Sequence, residues 1–101
     1  MITAKQKAQL KHIAHSTDIV KFIVGKEGIN DNFIAMIQKA FEKYELIKVS
    51  FLKSSVENYN FEEMILDLSA TVDAQIIQKI GKTIILYKEN KKSKNHIILI
   101  K

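Results

Sequence analysis

The sequence predicts an α/β protein of the two-layer α+β type, with element order αβαβαββ and a four-stranded mixed sheet. Three observations lead there. Apolar residues recur at helical spacing in three segments, and at strand spacing or in short unbroken runs in four others. These segments alternate for most of the chain, which favours helices packed on a sheet. There is no Pro, and the three Gly, at 25, 28 and 81, each read as a turn.

Thr3 is the expected N-cap of the first helix, because Thr3 and Gln6 have the spacing of a capping box. Leu10, Ile13 and Ala14 form its apolar stripe. Lys7, Lys11 and His15 fall at i, i+4 and i+8 elsewhere on the helix, flanked by Lys5 and His12, and no acid lies among them. Ile19–Val24 is a strand ending in Gly25-Lys26-Glu27-Gly28. A second helix runs from Asn30, a good N-cap, to about Lys43, with Phe33, Ile37, Ala40, Phe41 and Tyr44 on its apolar side. Leu46–Leu52 is a strand with Ile47, Val49 and Phe51 on one face and Lys48 and Ser50 on the other. A third helix, about Tyr59–Val72, buries Phe61, Met64, Ile65 and Leu68. Gln75–Ile80 and Thr83–Lys88 form a hairpin around the two-residue turn Gly81-Lys82.

Ile19–Val24 and Thr83–Leu86 are apolar at nearly consecutive positions, so both strands are expected to be covered on both faces. The second and third helices then share one face of the sheet, and the first covers part of the other face or an end. The domain is expected to occupy residues 1–89. Residues 90–101 form a tail: Asn90–Asn95 is a mobile basic stretch, and Ile97–Ile100 docks on the same domain. Four apolar residues left in water would invite aggregation, and their β-branched content suits an added strand at a sheet edge.

Charge is segregated along the chain. The net charge is +5, from 16 Lys, no Arg and 11 acids. Residues 1–26 hold five Lys against Asp18 alone, a net of +4; residues 27–76 hold four Lys against nine acids, a net of −5; residues 77–101 hold seven Lys against Glu89, a net of +6. If the fold unites the basic ends, the resulting surface attracts polyanions. Spread over several faces, the same charge would serve solubility. Phosphates would meet lysine point charges rather than bidentate Arg forks. With no Cys, disulfide and thiolate chemistry are excluded. The start lacks the apolar stretch of a signal peptide, and no run approaches the roughly 20 residues that span a bilayer. A cytoplasmic protein without membrane association is expected.

The strongest local signal is strand, Gly25-Lys26-Glu27-Gly28, helix. Two glycines let a backbone come close, the helix start offers unpaired N–H groups, and Lys26 adds a full charge. A Gly-x-x-Gly tetrapeptide is also a common tight turn, and alone it leaves both readings open. The basic first helix adds weight to an anionic partner. The loop is not a nucleotide-hydrolysing one, because Lys-Ser or Lys-Thr does not follow Gly28. His12 and His15 lack a third ligand at metal spacing and read as surface residues of a basic patch. Glu62, Glu63 and Asp67 read as a solvated helix side, without a partner at catalytic spacing. Tyr59 and Tyr87 are candidates for base stacking or for packing at the sheet edge.

Four blocks in order carry a family resemblance. They are Thr3-Ala4-Lys5-Gln6-Lys7 through Leu10-Lys11-His12-Ile13-Ala14-His15; Ile23-Val24-Gly25-Lys26-Glu27-Gly28-Ile29; Glu45-Leu46-Ile47-Lys48-Val49; and Ile80-Gly81-Lys82-Thr83-Ile84-Ile85-Leu86-Tyr87-Lys88. With these, the chain resembles the CRM (chloroplast RNA splicing and ribosome maturation) domain in its stand-alone bacterial form, the YhbY family, from about Thr3 to Lys88. The resemblance implies a fold like the C-terminal domain of a bacterial translation initiation factor, with a KH-like Gly-x-x-Gly loop on RNA backbone. It implies that Gly25, Lys26 and Gly28, with Glu27 between them, form an RNA-contacting loop. Lys7, Lys11, Lys48 and Lys82, with His15 beside the first two, would extend the basic surface. The family commonly has Pro where this chain has Ser16-Thr17-Asp18, Gly where it has Val72-Asp73, and Tyr-Arg where it has Tyr87-Lys88.

The expected function is therefore binding of ribosomal RNA, by a monomer, in association with precursors of the large ribosomal subunit as an assembly factor. No enzymatic activity, cofactor, metal or small-molecule substrate is expected. The alternative is a protein–protein adaptor that uses the apolar tail or a sheet edge.

Overall fold

The computed structural model describes residues 2–56, 60–93 and 96–100. Its elements are α1 (Ala4–Ser16), β1 (Lys21–Val24), α2 (Asp31–Ala40), β2 (Leu46–Phe51), a short α3 (Lys53–Val56), α4 (Phe61–Thr71), β3 (Gln75–Ile80) and β4 (Thr83–Tyr87). The strand order is β1-β2-β4-β3, parallel between β1 and β2 and antiparallel at the other two pairings. This is the mixed four-stranded sheet the sequence predicts. The addition is α3, a single turn between β2 and α4. Tyr59, one of the stacking candidates, lies outside the described residues.

Local chemistry explains the helix boundaries. Thr3 and Gln6 form the reciprocal capping box, Thr3 N–H donating to Gln6 Oε1 at 2.9 Å and Gln6 N–H to Thr3 Oγ1 at 3.1 Å. Asn30 and Asn60 cap α2 and α4 by accepting from Phe33 N–H at 2.9 Å and Glu63 N–H at 3.2 Å. Regular α2 stops at Ala40, and the chain continues in turns to Tyr44. Tyr44 falls beyond the helical register and is exposed, not part of the apolar stripe as expected.

The C-terminal end of α4 shows how the chain manages without a family glycine. Ala74 N–H donates to Ser69 O at 2.9 Å and Asp73 N–H to Ala70 O at 3.3 Å, the two bonds of a Schellman motif. Asp73 occupies its left-handed position with φ 56°, which a Cβ disfavours. Lys88 Nζ donates to Val72 O at 3.0 Å, so this lysine is spent on the helix end. Asp73→Gly is therefore expected to raise stability by about 0.5–1 kcal/mol in urea denaturation. A loss of stability would show instead that the Asp73 carboxylate contributes more than the strain costs.

Two apolar clusters lie on the two sides of the sheet. On one, Phe33, Ile37 and Phe41 of α2 and Phe61, Ile65 and Leu68 of α4 pack on Val24, Ile47, Val49, Phe51, Ile84 and Leu86. On the other, Leu10 and Ala14 of α1 pack on Leu46, Ile77, Ile85 and Tyr87, with Ile97 and Leu99 against them. β4 is buried on both faces, as its unbroken apolar run predicts. β1 is not: it is an edge strand, and Ile23 is 55% exposed because α1 does not reach that end of the sheet.

The tail lies on α1. Gln6 Nε2 donates to Ile100 O at 2.8 Å, Gln9 Nε2 donates to Ile98 O at 2.9 Å, and Ile100 N–H donates to Gln9 Oε1 at 2.9 Å. These side-chain amides take the backbone bonds that a sheet edge would have supplied, so the tail forms no strand there. The stretch expected to be mobile is tied at both described ends. Asn90 N–H donates to Glu45 Oε2 at 2.6 Å, and Ser93 Oγ donates to Lys43 O.

Candidate nucleic-acid interface

Strand directions gather three loops at one end of the sheet. β1, β2 and β3 run toward that end and β4 starts from it, so Gly25–Gly28, the segment after Phe51 and the Gly81-Lys82 turn are neighbours. Backbone bonds tie them together: Phe51 N–H donates to Lys82 O at 2.7 Å and Leu52 N–H to Val24 O at 3.0 Å. The N-termini of α2 and α4 point to this end as well.

Gly28 N–H donates to Gly25 O at 3.0 Å, which closes a turn with the exposed Lys26 and Glu27 at its tip. Gly28 has φ +71° and is demanded by the backbone. Gly25 differs: its φ is not in the left-handed region, and a Cβ built on it would meet nothing within 4 Å. The fold does not need glycine at 25. What glycine provides there is a bare backbone open to a close approach.

The other expected site residues divide. Lys48 sits in β2 on the α1 side of the sheet, opposite Lys21 of β1. Lys82 stands at the loop end, its ammonium 4.4 Å from the centre of the Phe61 ring, a cation–π contact that leaves the residue exposed. Lys7, Lys11 and His15 lie on α1, whose N-terminal end, with Ile2 and Gln6, borders Gln75, Tyr87 and Lys88 at the far end of the sheet. His15 Nε2 is 2.8 Å from Gln78 Oε1 of β3, so the helix stripe meets the sheet at His15. The structure thus unites the loop and Lys82 at one end and sets Lys7 far from them.

Tyr87 cannot serve as a stacking platform. It is 4% exposed within the α1-side cluster, and its hydroxyl is buried with no hydrogen-bond partner among the described residues. Burial, with the Glu45 and Glu89 carboxylates nearby, pushes its phenol up to about 12, so it stays neutral. A base has no access to it. Among the described residues, no group of three His, Asp or Glu is arranged to hold a metal ion, and no helix is long and apolar enough to cross a membrane.

The sequence model of the CRS1 / YhbY (CRM) domain matches residues 2–88. The chain belongs to the CRM family. "Probable RNA-binding protein YqeI" of Bacillus subtilis is 45% identical over 94 residues, covering 93% of this chain and 95% of that protein. "Probable RNA-binding protein PA4753" of Pseudomonas aeruginosa is 29% identical, covering 95% and 89%. The solution structure of SAV1595 from Staphylococcus aureus superposes with a TM-score of 0.72 at 37% identity, covering 97% of this chain and 99% of that one. The fold of this CRM domain is therefore shared along almost its whole length with a solved relative.

Sequence reasoning missed two residues on the open sheet face beside the loop. Lys21 joins Lys48 only through the register of β1 on β2, which no local pattern reveals. Ile23 belongs to an apolar run that predicts full cover, although its neighbour Lys21 already marks that face as open.

Proposed function

We propose that this CRM domain binds ribosomal RNA and acts with precursors of the large ribosomal subunit as an assembly factor. One observation carries the RNA reading: Gly25 is a glycine the fold does not require, at the start of an exposed turn with Lys26 beside it. A bare backbone next to an ammonium suits a phosphodiester, which needs close approach and positive charge together. The relatives named as RNA-binding support the same reading. The chain carries the reading without any hydrolytic step of its own: an assembling particle displays RNA shapes that maturation later buries, and release then follows from the substrate's change.

Of the apolar tail, Ile97 and Leu99 pack against the α1-side core, which leaves only Ile98 and Ile100 to the adaptor reading.

The loop is tested by Gly25→Ala and Lys26→Ala. Gly25→Ala is expected to leave stability unchanged or raise it by up to about 1 kcal/mol, while weakening RNA binding severalfold. Lys26→Ala is expected to weaken binding across RNA sequences and lower the slope of log affinity against log salt by about one unit. Wild-type affinity and slope in both variants would refute the loop assignment. The cellular role is tested by sucrose-gradient fractionation of lysate at low and moderate salt. Co-sedimentation with large-subunit precursors is expected, and confinement to ribosome-free or small-subunit fractions at both salts would refute it.

A further inference from the structure

The part of the α1-side sheet face nearest the loops and the β1 edge is uncovered, and it draws on two cross-strand rows. Nearest the loops, Ile23, Ser50, Thr83 and Ile80 lie side by side across all four strands. Ile23 is 55% and Ile80 48% exposed, and the Ser50 and Thr83 hydroxyls between them are 2.9 Å apart. The next row is Lys21, Lys48, Ile85 and Gln78; Ile85 is buried beneath α1, so its open part is Lys21 and Lys48, with His15 on Gln78 at the other end. Neither row contains an acid. Lys21 and Lys48 are direct cross-strand partners, an arrangement of like charges that costs stability unless an anion relieves it. Among the described residues, neither has a carboxylate at ion-pair distance.

The opposite side of the loop has the reverse character. The cleft between Gly28 and the α2 and α4 helices is lined by Glu27, Asp31 and Asp67. Glu63 also lies in the first turn of α4, beside Glu62, which is paired with Lys79 of β3. The acidic middle of the sequence thus forms the helix layer, and the basic N-terminal part contributes Lys21 and Lys26 on the other side. An RNA held at Lys26 is repelled from the helix layer and drawn toward the sheet.

We propose that this uncovered sheet face is a platform for single-stranded RNA whose backbone turns at Gly25–Gly28. The proposal rests on the RNA reading above and adds where the strand lies and which RNA form is preferred. Bases splayed from a single strand can lay their flat faces on Ile23 and Ile80, while phosphates reach Lys21, Lys48 and Lys26. A duplex keeps its bases stacked inside and can offer this face only backbone. The charge of the face argues against an apolar protein partner.

The test uses the full chain, with its isoleucine δ1 methyl groups and its backbone amides labelled for NMR. It is titrated with a single-stranded mixed-sequence RNA of about twelve nucleotides and with a duplex of the same length. The Ile23 and Ile80 methyl signals are expected to shift with the single strand and much less with the duplex. Ile98, 81% exposed on the tail, serves as the control that stays in place. The double variant Ile23→Gln with Ile80→Gln, both positions being half exposed, is expected to lose roughly tenfold in single-strand affinity and little in duplex affinity. If the Gly28 amide shifts with RNA while both methyls stay still, the platform is wrong and loop binding survives. If no RNA shifts any signal at low salt, the RNA reading itself fails. Methyl shifts on concentrating the protein without RNA would assign the face to a second copy of the chain and overturn the proposal.

Discussion

Glu45→Ala is expected to destabilise the protein by on the order of 3 kcal/mol, the largest loss from any single polar substitution in the domain. Glu45 is 1% exposed at the start of β2, where a carboxylate would normally be unwelcome. It is satisfied by the tail: Asn90 N–H donates to Oε2 at 2.6 Å, His96 Nδ1 lies 2.8 Å from the same oxygen, and Ile97 N–H donates to Oε1. Removing the carboxylate strands two backbone donors in a nearly closed space and opens a cavity beside Leu46. The tail then loses the anchor that sets Ile97 and Leu99 against α1. For a domain of this size the midpoint of thermal unfolding should fall by roughly 12–24 °C. Amide exchange at residues 96–100 should rise well before the sheet opens. Glu45→Gln should be less severe, since one carbonyl oxygen remains to accept while the amide N–H₂ faces the other donor. A wild-type midpoint for Glu45→Ala would show that the tail's polar contacts contribute nothing net.

The tail is also where the sequence was least legible. Glu45 stands before a strand in a segment rich in acids, and a lone Glu there reads as solvated. Its donors come from positions 45 to 52 residues downstream, and no local pattern anticipates so distant a pairing. Gln6 and Gln9 present the same difficulty. Gln6 was legible as half of a capping box, but its other bond, to Ile100, depends on where the chain end returns. By contrast, the helix starts at Thr3 and Asn30 were legible because each capping side chain acts within three residues. The alternation Ile47, Lys48, Val49, Ser50, Phe51 placed β2's two faces correctly for the same reason. Edge position was barely legible: Ile23 and Ile85 both sit in apolar runs, Lys21 alone hints at an open face, and strand order makes one half exposed and the other buried. The loop lies between these cases. Gly28 could be read as a turn residue from its spacing. That Gly25 is sterically unnecessary is visible only in the folded backbone.

The combined removal of Lys7, Lys11, Lys26 and Lys82 is expected to weaken RNA binding by on the order of a hundredfold near physiological salt. Each phosphate deprived of its lysine should lower the salt slope by about 0.7 to 0.9 units, so four lysines account for a fall of about three. The geometry makes the partition of that fall informative. Lys26 and Lys82 stand at the loop end of the sheet, whereas Lys7 and Lys11 lie along α1, reached from the sheet face through His15 on Gln78. Residues seven and fifteen are about 12 Å apart along a helix axis, so an RNA touching both groups must span the uncovered face rather than sit at one point. Measured as pairs, Lys7→Ala with Lys11→Ala and Lys26→Ala with Lys82→Ala should each lower the slope by about half of the whole. Because the pairs are well separated, their effects should add in the quadruple variant. Lys82→Ala also removes a cation–π interaction with Phe61, so stability should be followed alongside, with a decrease of about 0.5–1 kcal/mol expected from that source. If the loop pair carries the full effect and the α1 pair none, the footprint ends at the sheet face and the helix charges serve only solubility. If the quadruple variant binds RNA with an unchanged slope, phosphates are not met by these lysines, and the RNA surface lies elsewhere on the domain.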